Sequence, residues 1–382
     1  MKKIGFTFLL LIIMYEMPSC TVPNTEKYIA IPQARTVIGN DKFCFEKESS
    51  FTGVAGEEAK LGKIYLRKEH VVILTKYNIK KHLITNSEYL EFMENTSYHP
   101  LQERYNKESF RENMELSDEA VTGITLFDAV AYCQWLSEKT GKLHRLPTNA
   151  EWEYAAIANT GNMFPWGNTN KFLAETKIKI PLTRKSMSIY QVTEDTSKFG
   201  MSNLMGGLEY TLDCYDEEFY DKSPKVNPVC LIPNNADCVM RGIDDYNDLK
   251  NHNLLDFGLY AMRWNSIDDY NGYSYFRTVR DEGTIFNKGT VDESVYSPQI
   301  ARAKSKKVRI YPHASESTNF SEYRCFSDLY ILFESPSKLF YRCFVQTREE
   351  DIFGDTVKIW KTGWIAKEDL DILPKKWYEA TP

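Results

Sequence analysis

Eight cysteines, six histidines and two copies of Asp-Asp-Tyr-Asn are the residues of this 382-residue chain best suited to chemistry. A thiolate can attack, pair or hold a soft metal, and an imidazole can ligate or move a proton, but each needs partners at suitable spacing. His70, His82, His99, His144, His252 and His313 show no paired metal-ligand spacing, which leaves them as packing or surface residues. Cys133 lies in LFDAVAYCQWL, where Leu126, Ala129, Val130, Cys133 and Leu136 recur at helical spacing, so it reads as a small core residue. Cys230 and Cys238 flank LIPNNAD, a turn-rich loop that a hairpin disulfide could close, and Cys325 could pair with Cys343 across strands. The repeated motif places Asp244, Asp245 and Tyr246, then Asp268, Asp269 and Tyr270, in late, loop-like sequence. Paired acids beside an aromatic face suit a cation or a sugar, and the same residues also build Asx turns on a solvated surface.

Charge and composition narrow the partners. A formal charge of −6 excludes a protein whose main partner is nucleic acid, because phosphate binding needs clustered Lys and Arg. With 24 Tyr and 21 Phe, the chain favours a β-rich or loop-rich fold with aromatic-lined surfaces. Residues 1–20 read as an export signal: Lys2 and Lys3, an apolar run IGFTFLLLII too short to span a bilayer comfortably, then MPSC ending at Cys20. The pattern resembles a bacterial lipoprotein signal in which Cys20 is lipidated and becomes the first mature residue. Glu16, Met17 and Pro18 depart from that pattern, and a plain secretory signal is the other reading. Either predicts a protein outside the cytoplasm. The lipidated form is expected at the bacterial cell envelope as an outer-membrane lipoprotein, attached to the membrane by its anchor. Seven cysteines remain after Cys20, so at least one stays a thiol, and Cys133 is the expected one.

The elements that must position these residues announce themselves by their caps. Thr85 with Glu88, Thr125 with Asp128 and Thr148 with Glu151 each have the capping-box spacing that starts a helix. Gly141 suits the end of the second helix, and Pro147 blocks helix just before the third. Residues from about 160 to 280 are rich in Gly, Asn, Asp, Pro and aromatics, a loop-dominated region that needs pinning by metal, disulfides or aromatic packing. A polar connector follows, then short β-type runs VRIYPH, DLYILFE, LFYRCFVQT and TVKIWKTGWIA, with Gly363 expected at a hairpin turn.

Taken in order, IPQARTVIG (31–39), YNIKKHLITNSEYLEFM (77–93), RLPTNAEWEYAA (145–156), FPWGN (164–168), GMSNLMGGLEYTLDCYD (200–216), VMRG (239–242) and YFRTVR (275–280) resemble the formylglycine-generating enzyme, or sulfatase-modifying factor, domain. The resemblance implies an α+β, C-type lectin-like fold over 28–281. A linker at 282–303 and a small all-β SH3-like barrel at 304–374 are expected after it. Enzymes of the family oxidise a sulfatase cysteine with copper held by two closely spaced cysteines between an RGGS and a GFR motif. The matching interval here, Arg241 to Arg277, contains no cysteine, so no copper is expected. Iron-dependent relatives need a three-histidine site and an added helical domain that this chain lacks. The family's calcium loop implies Asn203, Gly206 and Glu209 as calcium ligands; a residue is missing before Glu209, and the alternative is an Asn/Gly turn with Glu209 in an ion pair. In lectin-like folds the late loops meet ligands, which makes the acids and tyrosines of the repeated motif the candidate recognition surface. The expected function is non-catalytic binding of protein or glycan at the envelope, the alternative a divergent formylglycine-generating or related oxidase.

Overall fold

The computed structural model describes residues 28–39, 50–52, 58–60, 65–66, 69–100, 103, 107–162, 195–204, 207–216, 218–231, 237–242, 261–265, 274–315, 319–350 and 356–380. The helices Asn86–Thr96, Leu126–Thr140 and Asn149–Ile157 begin at the three expected boxes. In each, the threonine side chain accepts the backbone N–H of the acid three residues on, and the acid takes the threonine's own N–H. Each box satisfies two otherwise orphaned donors, and losing such a cap costs about 1 kcal/mol. Gly141 ends the second helix at φ 66°, as its sequence position predicts. That helix is buried at every residue from Leu126 to Trp135, because it is packed from two sides.

Two sheets frame the N-terminal half. In the first, Tyr28–Ile31, Tyr77–Lys80, Val279–Asp281 and Leu143–Arg145 lie in that order, all antiparallel, so the first described strand and the end of the half share one sheet. In the second the order is Ser274–Tyr275, Leu208–Cys214, Cys238–Gly242, Ala261–Asn265 and Tyr65–Leu66, with one parallel pair at the Ser274 edge. A ribbon of Ala34–Ile38 and His70–Leu74 lies beside them.

The C-terminal half is one antiparallel sheet: Ile285–Phe286, Ser294–Ala303, Leu329–Glu334, Phe340–Glu350 and Thr356–Ala366, with Leu370–Leu373 returning to pair with Ser294–Ala303. Two expectations need correction here. Residues 282–303 are not a connector: ten of them form the strand Ser294–Ala303, whose Ile300 and Ala301 are fully buried while polar neighbours face outward. Gly363 is not at a turn but lies inside the strand Thr356–Ala366, opposite Cys343. Its glycine is required by contact, since a Cβ there would sit 1.9 Å from Ile310 Cγ2 of the hairpin Lys307–Ile310/Ser321–Arg324 that crosses the sheet.

The halves share a core. The Phe127 ring lies 4.8 Å from Trp360, 5.0 Å from Tyr330 and 5.6 Å from both Phe344 and Trp377. Gln134 fixes the contact, its Oε1 accepting the Trp377 N–H at 2.8 Å and its Nε2 donating to the Pro298 carbonyl at 3.1 Å. Among the described residues no helix is long and apolar enough to cross a membrane.

Candidate functional site

The residues that make RLPTNAEWEYAA distinctive converge on buried ion pairs. Arg145, fully buried, donates from Nη1 and Nη2 to the two Glu151 oxygens at 2.6 and 2.8 Å and from Nε to Asp281. Burial alone would favour a neutral guanidinium, but Asp281 and Glu151 hold its pKa above the ordinary value. Burial would likewise raise Asp281, and Arg145 brings it below the usual carboxylate range instead. Glu151 therefore caps a helix and binds an arginine at once, which ties the helix start to a strand 136 residues from Arg145.

Two more arginines are held in the same manner. Arg241 donates from Nη2 to Glu153 Oε2 at 2.9 Å, and Glu153 also accepts the Gly39 N–H at 2.5 Å and the Tyr220 hydroxyl at 3.2 Å. Arg277 clasps Glu209 through Nε and Nη2 at 2.5 and 2.7 Å, and donates further to the carbonyls of Lys80, Lys81 and Ser202. The Arg145–Asp281, Arg241–Glu153 and Arg277–Glu209 pairs each join segments far apart in sequence. The chemistry available to these groups is small, because their donors and acceptors face one another in the interior.

Asp213 is different. Both its oxygens accept backbone N–H groups, from Asn149 at 2.7 Å and Cys230 at 2.8 Å, yet burial dominates and pushes its carboxyl up to about 7. Sequence reasoning missed Asp213, Glu153 and Arg145 as a set; the available signal was the run of acids and arginine at buried positions in LEYTLDC and RLPTNAEWEYAA. His144 is pushed down to about 4, chiefly by burial and then by Arg280 and Lys142, so its ring is neutral between Tyr28 Oη at 3.1 Å and Thr140 Oγ1 at 3.0 Å. An open cleft of about 350 Å³ lies between Arg35–Gly39 and the end of the Asn149–Ile157 helix, with Glu153, Tyr154 and Asn159 on its wall.

Two of the three expected calcium ligands, Glu209 and Asn203, face protein groups. Both Glu209 oxygens are occupied by Arg277, and Asn203 Oδ1 lies 3.0 Å from His82 Nδ1. A divalent cation at Glu209 would have to displace a buried guanidinium, which leaves Glu209 in the ion-pair alternative. Among the described residues no group of three or more His, Cys, Asp or Glu side chains could hold a metal. Gly206, Asp244, Asp245, Tyr246, Asp268, Asp269, Tyr270, the FPWGN stretch and Cys20 lie outside the described residues. Gly242, the last described residue before the first Asp-Asp-Tyr-Asn copy, has a φ of 115° and lies against Gly207, 2.1 Å from a hypothetical Cβ, so the position admits glycine alone.

The structure shows no bridge between any of the described cysteines, among them Cys214 and the expected pairs Cys230–Cys238 and Cys325–Cys343. Cys230 bonds through its carbonyl to the Cys214 N–H at 2.9 Å, while Cys238 is the register partner of Cys214 in the sheet. Cys214 thus stands between the two. Cys343 is buried in the C-terminal core with its thiol directed at the Tyr341 carbonyl, and Cys325 is turned toward Ser327.

Comparison with known proteins agrees with this frame. The profile of the "Sulfatase-modifying factor enzyme 1-like domain" matches residues 17–281. The chain is 32% identical to the formylglycine-generating enzyme of Mus musculus over 126 residues, 28% of this chain and 32% of that one. It is 50% identical to the Bos taurus enzyme over 52 residues, 13% of this chain and 12% of that one. The chain thus spans under half the length of these curated relatives. Among solved structures, PvdO from Pseudomonas aeruginosa aligns with a TM-score of 0.44 and 17% identity over 66% of this chain and 94% of that one. With the profile match covering more than half of its length, the chain belongs to the sulfatase-modifying factor family.

Proposed function

We propose that this protein is a catalytically silent member of its family, exported, lipid-anchored at Cys20, and used at the bacterial cell envelope to bind protein or glycan. The observation that carries the reading is the interval from Arg241 to Arg277, where the family's copper-binding cysteines are expected and where this chain has none. The buried arginine pairs support it, since Arg241 and Arg277, which bracket that interval, are engaged by Glu153 and Glu209. What remains is a C-type lectin-like frame that fixes the roots of the loops carrying Asp244, Asp245, Tyr246, Asp268, Asp269 and Tyr270. The C-terminal half is read as an SH3-like barrel. Support comes from its strand order, with a 3-10 turn at Lys367–Asp369 leading into a last strand that pairs back on the first long one.

The test has two arms. Cys20→Ala should move the protein from the membrane to the soluble fraction of the envelope. Replacing the six loop residues with alanine should abolish binding to defined envelope glycans or to a purified partner while leaving the thermal transition unchanged. Copper retained by the purified chain, together with conversion of a sulfatase-peptide cysteine to formylglycine, would overturn the proposal in favour of an oxidase.

A further inference from the structure

We infer that Cys214 and Cys238 are the disulfide-forming pair of this protein, with Cys230 left as a thiol. The two stand opposite each other in the antiparallel strands Leu208–Cys214 and Cys238–Gly242. Their neighbours, Tyr215 and Asp237, make the hydrogen bond of that rung, Tyr215 N–H to the Asp237 carbonyl at 2.9 Å. Rungs alternate in an antiparallel ladder, so Cys214 and Cys238 occupy the rung without hydrogen bonds, where Cα atoms approach to about 4.5 Å and side chains lie closest. That separation falls within the roughly 4.4–6.8 Å that a disulfide spans.

Cys230 is on the wrong side for either alternative involving Cys238. On a rung without hydrogen bonds the backbone N–H of Cys214 points away from Cys238, and it is this N–H that donates to the Cys230 carbonyl. Cys230 and Cys238 are therefore separated by the strand that carries Cys214, about two strand spacings of 4.8 Å, beyond the reach of a bridge. Arg342 of the C-terminal sheet closes the cluster, with Nη2 3.7 Å from the Cys214 sulfur and 2.8 Å from the Thr362 hydroxyl. A bridge here would knit the strands beside the seam between the two halves.

The oxidant is a thiol–disulfide exchange partner, such as oxidised glutathione. One protein thiolate attacks the donor disulfide and releases a small thiol; the second protein thiolate then attacks the mixed disulfide and releases another. The protein sulfurs lose two electrons, the donor disulfide gains them, and the two thiol protons pass to the released thiolates. Since Cys214 is 7% and Cys238 2% exposed, the exchange belongs to folding rather than to the finished protein.

The experiment refolds the full chain from the reduced, denatured state in a glutathione redox buffer, alkylates the remaining thiols in denaturant, and maps the peptides. A Cys214–Cys238 linked peptide pair is expected, lost on reduction, with Cys230 alkylated. Cys230→Ala should keep the linked pair, and Cys238→Ala should remove it without linking Cys214 to Cys230. A bridge from Cys230 to either neighbour, or alkylation of all three cysteines in a chain that has refolded, overturns the assignment.

Discussion

Both halves of the molecule bury aromatic rings, but buried arginine–carboxylate pairs mark the N-terminal one. The N-terminal half places Arg145, Arg241 and Arg277 at its centre, each fully buried and each facing a carboxylate. The C-terminal half, and the face of the Leu126–Thr140 helix that meets it, bury Phe127, Tyr330, Phe344, Trp360 and Trp377 against one another. Aromatic burial scales with area and tolerates imperfect fit, whereas a buried ion pair must be complete. The polar centre suits a half assembled from segments far apart in sequence: arginine offers five donors in fixed directions, and Arg277 uses them to join Glu209 to three separate carbonyls.

The largest expected effect tests that contrast directly. Arg145→Met fills much of the same volume but leaves Glu151 and Asp281 buried and unpaired, at a cost of about 3–5 kcal/mol in urea denaturation. Adding Glu151→Gln and Asp281→Asn to that variant should recover part of the loss, because the uncompensated charges are then gone. If the triple variant is no better than the single one, shape rather than charge is what Arg145 supplies, and the contrast between the halves fails.

Trp377→Ala should cost about 3 kcal/mol, the size expected for emptying a buried indole site. Its site of action separates it from the first variant. Trp377 touches Phe127 and Gln134 across the seam, so limited proteolysis should open the C-terminal sheet while the strand Leu143–Arg145 stays protected. Simultaneous loss of protection in both halves would mean that they unfold as one unit.

How much of this was legible depended on range. The capping boxes are i to i+3 relations, and Thr85, Thr125 and Thr148 all start helices where the sequence places them. The family motifs identified the frame for a related reason: its residue types are fixed by the pairs they make. The pairs themselves were not legible, since Arg145 and Asp281 are 136 residues apart and no local period links them. Gly363 misled because a glycine demanded by a neighbouring side chain and a glycine demanded by a turn look the same in one dimension. Ser294–Ala303 misled in the opposite way, its Ser, Pro, Gln and Arg concealing a strand whose apolar residues are spaced irregularly by a shift in register between Tyr296 and Gln299. The cysteines misled through sequence proximity, Cys230 and Cys238 being close in the chain but on opposite sides of Cys214.

Asp213 sharpens the comparison most finely, because it is a buried acid of the N-terminal half whose two hydrogen bonds come from backbone N–H groups rather than an arginine. An unfolded aspartate titrates near 3.9, while burial raises the folded carboxyl to about 7. Below about pH 4 both states hold the proton. Between about pH 4 and 7 the folded state holds it and the unfolded state releases it, so this group's contribution to stability falls as pH rises, by up to about 1.4 kcal/mol per unit. Above pH 7 the contribution is flat. Asp213→Asn cannot titrate, and its amide NH2 must face one of the two N–H donors, a loss of about 1–3 kcal/mol. At pH 4 the variant should therefore be the less stable protein, and the gap should close or invert by pH 7 when the two denaturation curves are compared across that window. A gap that stays constant would mean that the two N–H groups outweigh burial and keep Asp213 ionised throughout, an anion held as firmly by backbone dipoles as Glu209 is by Arg277.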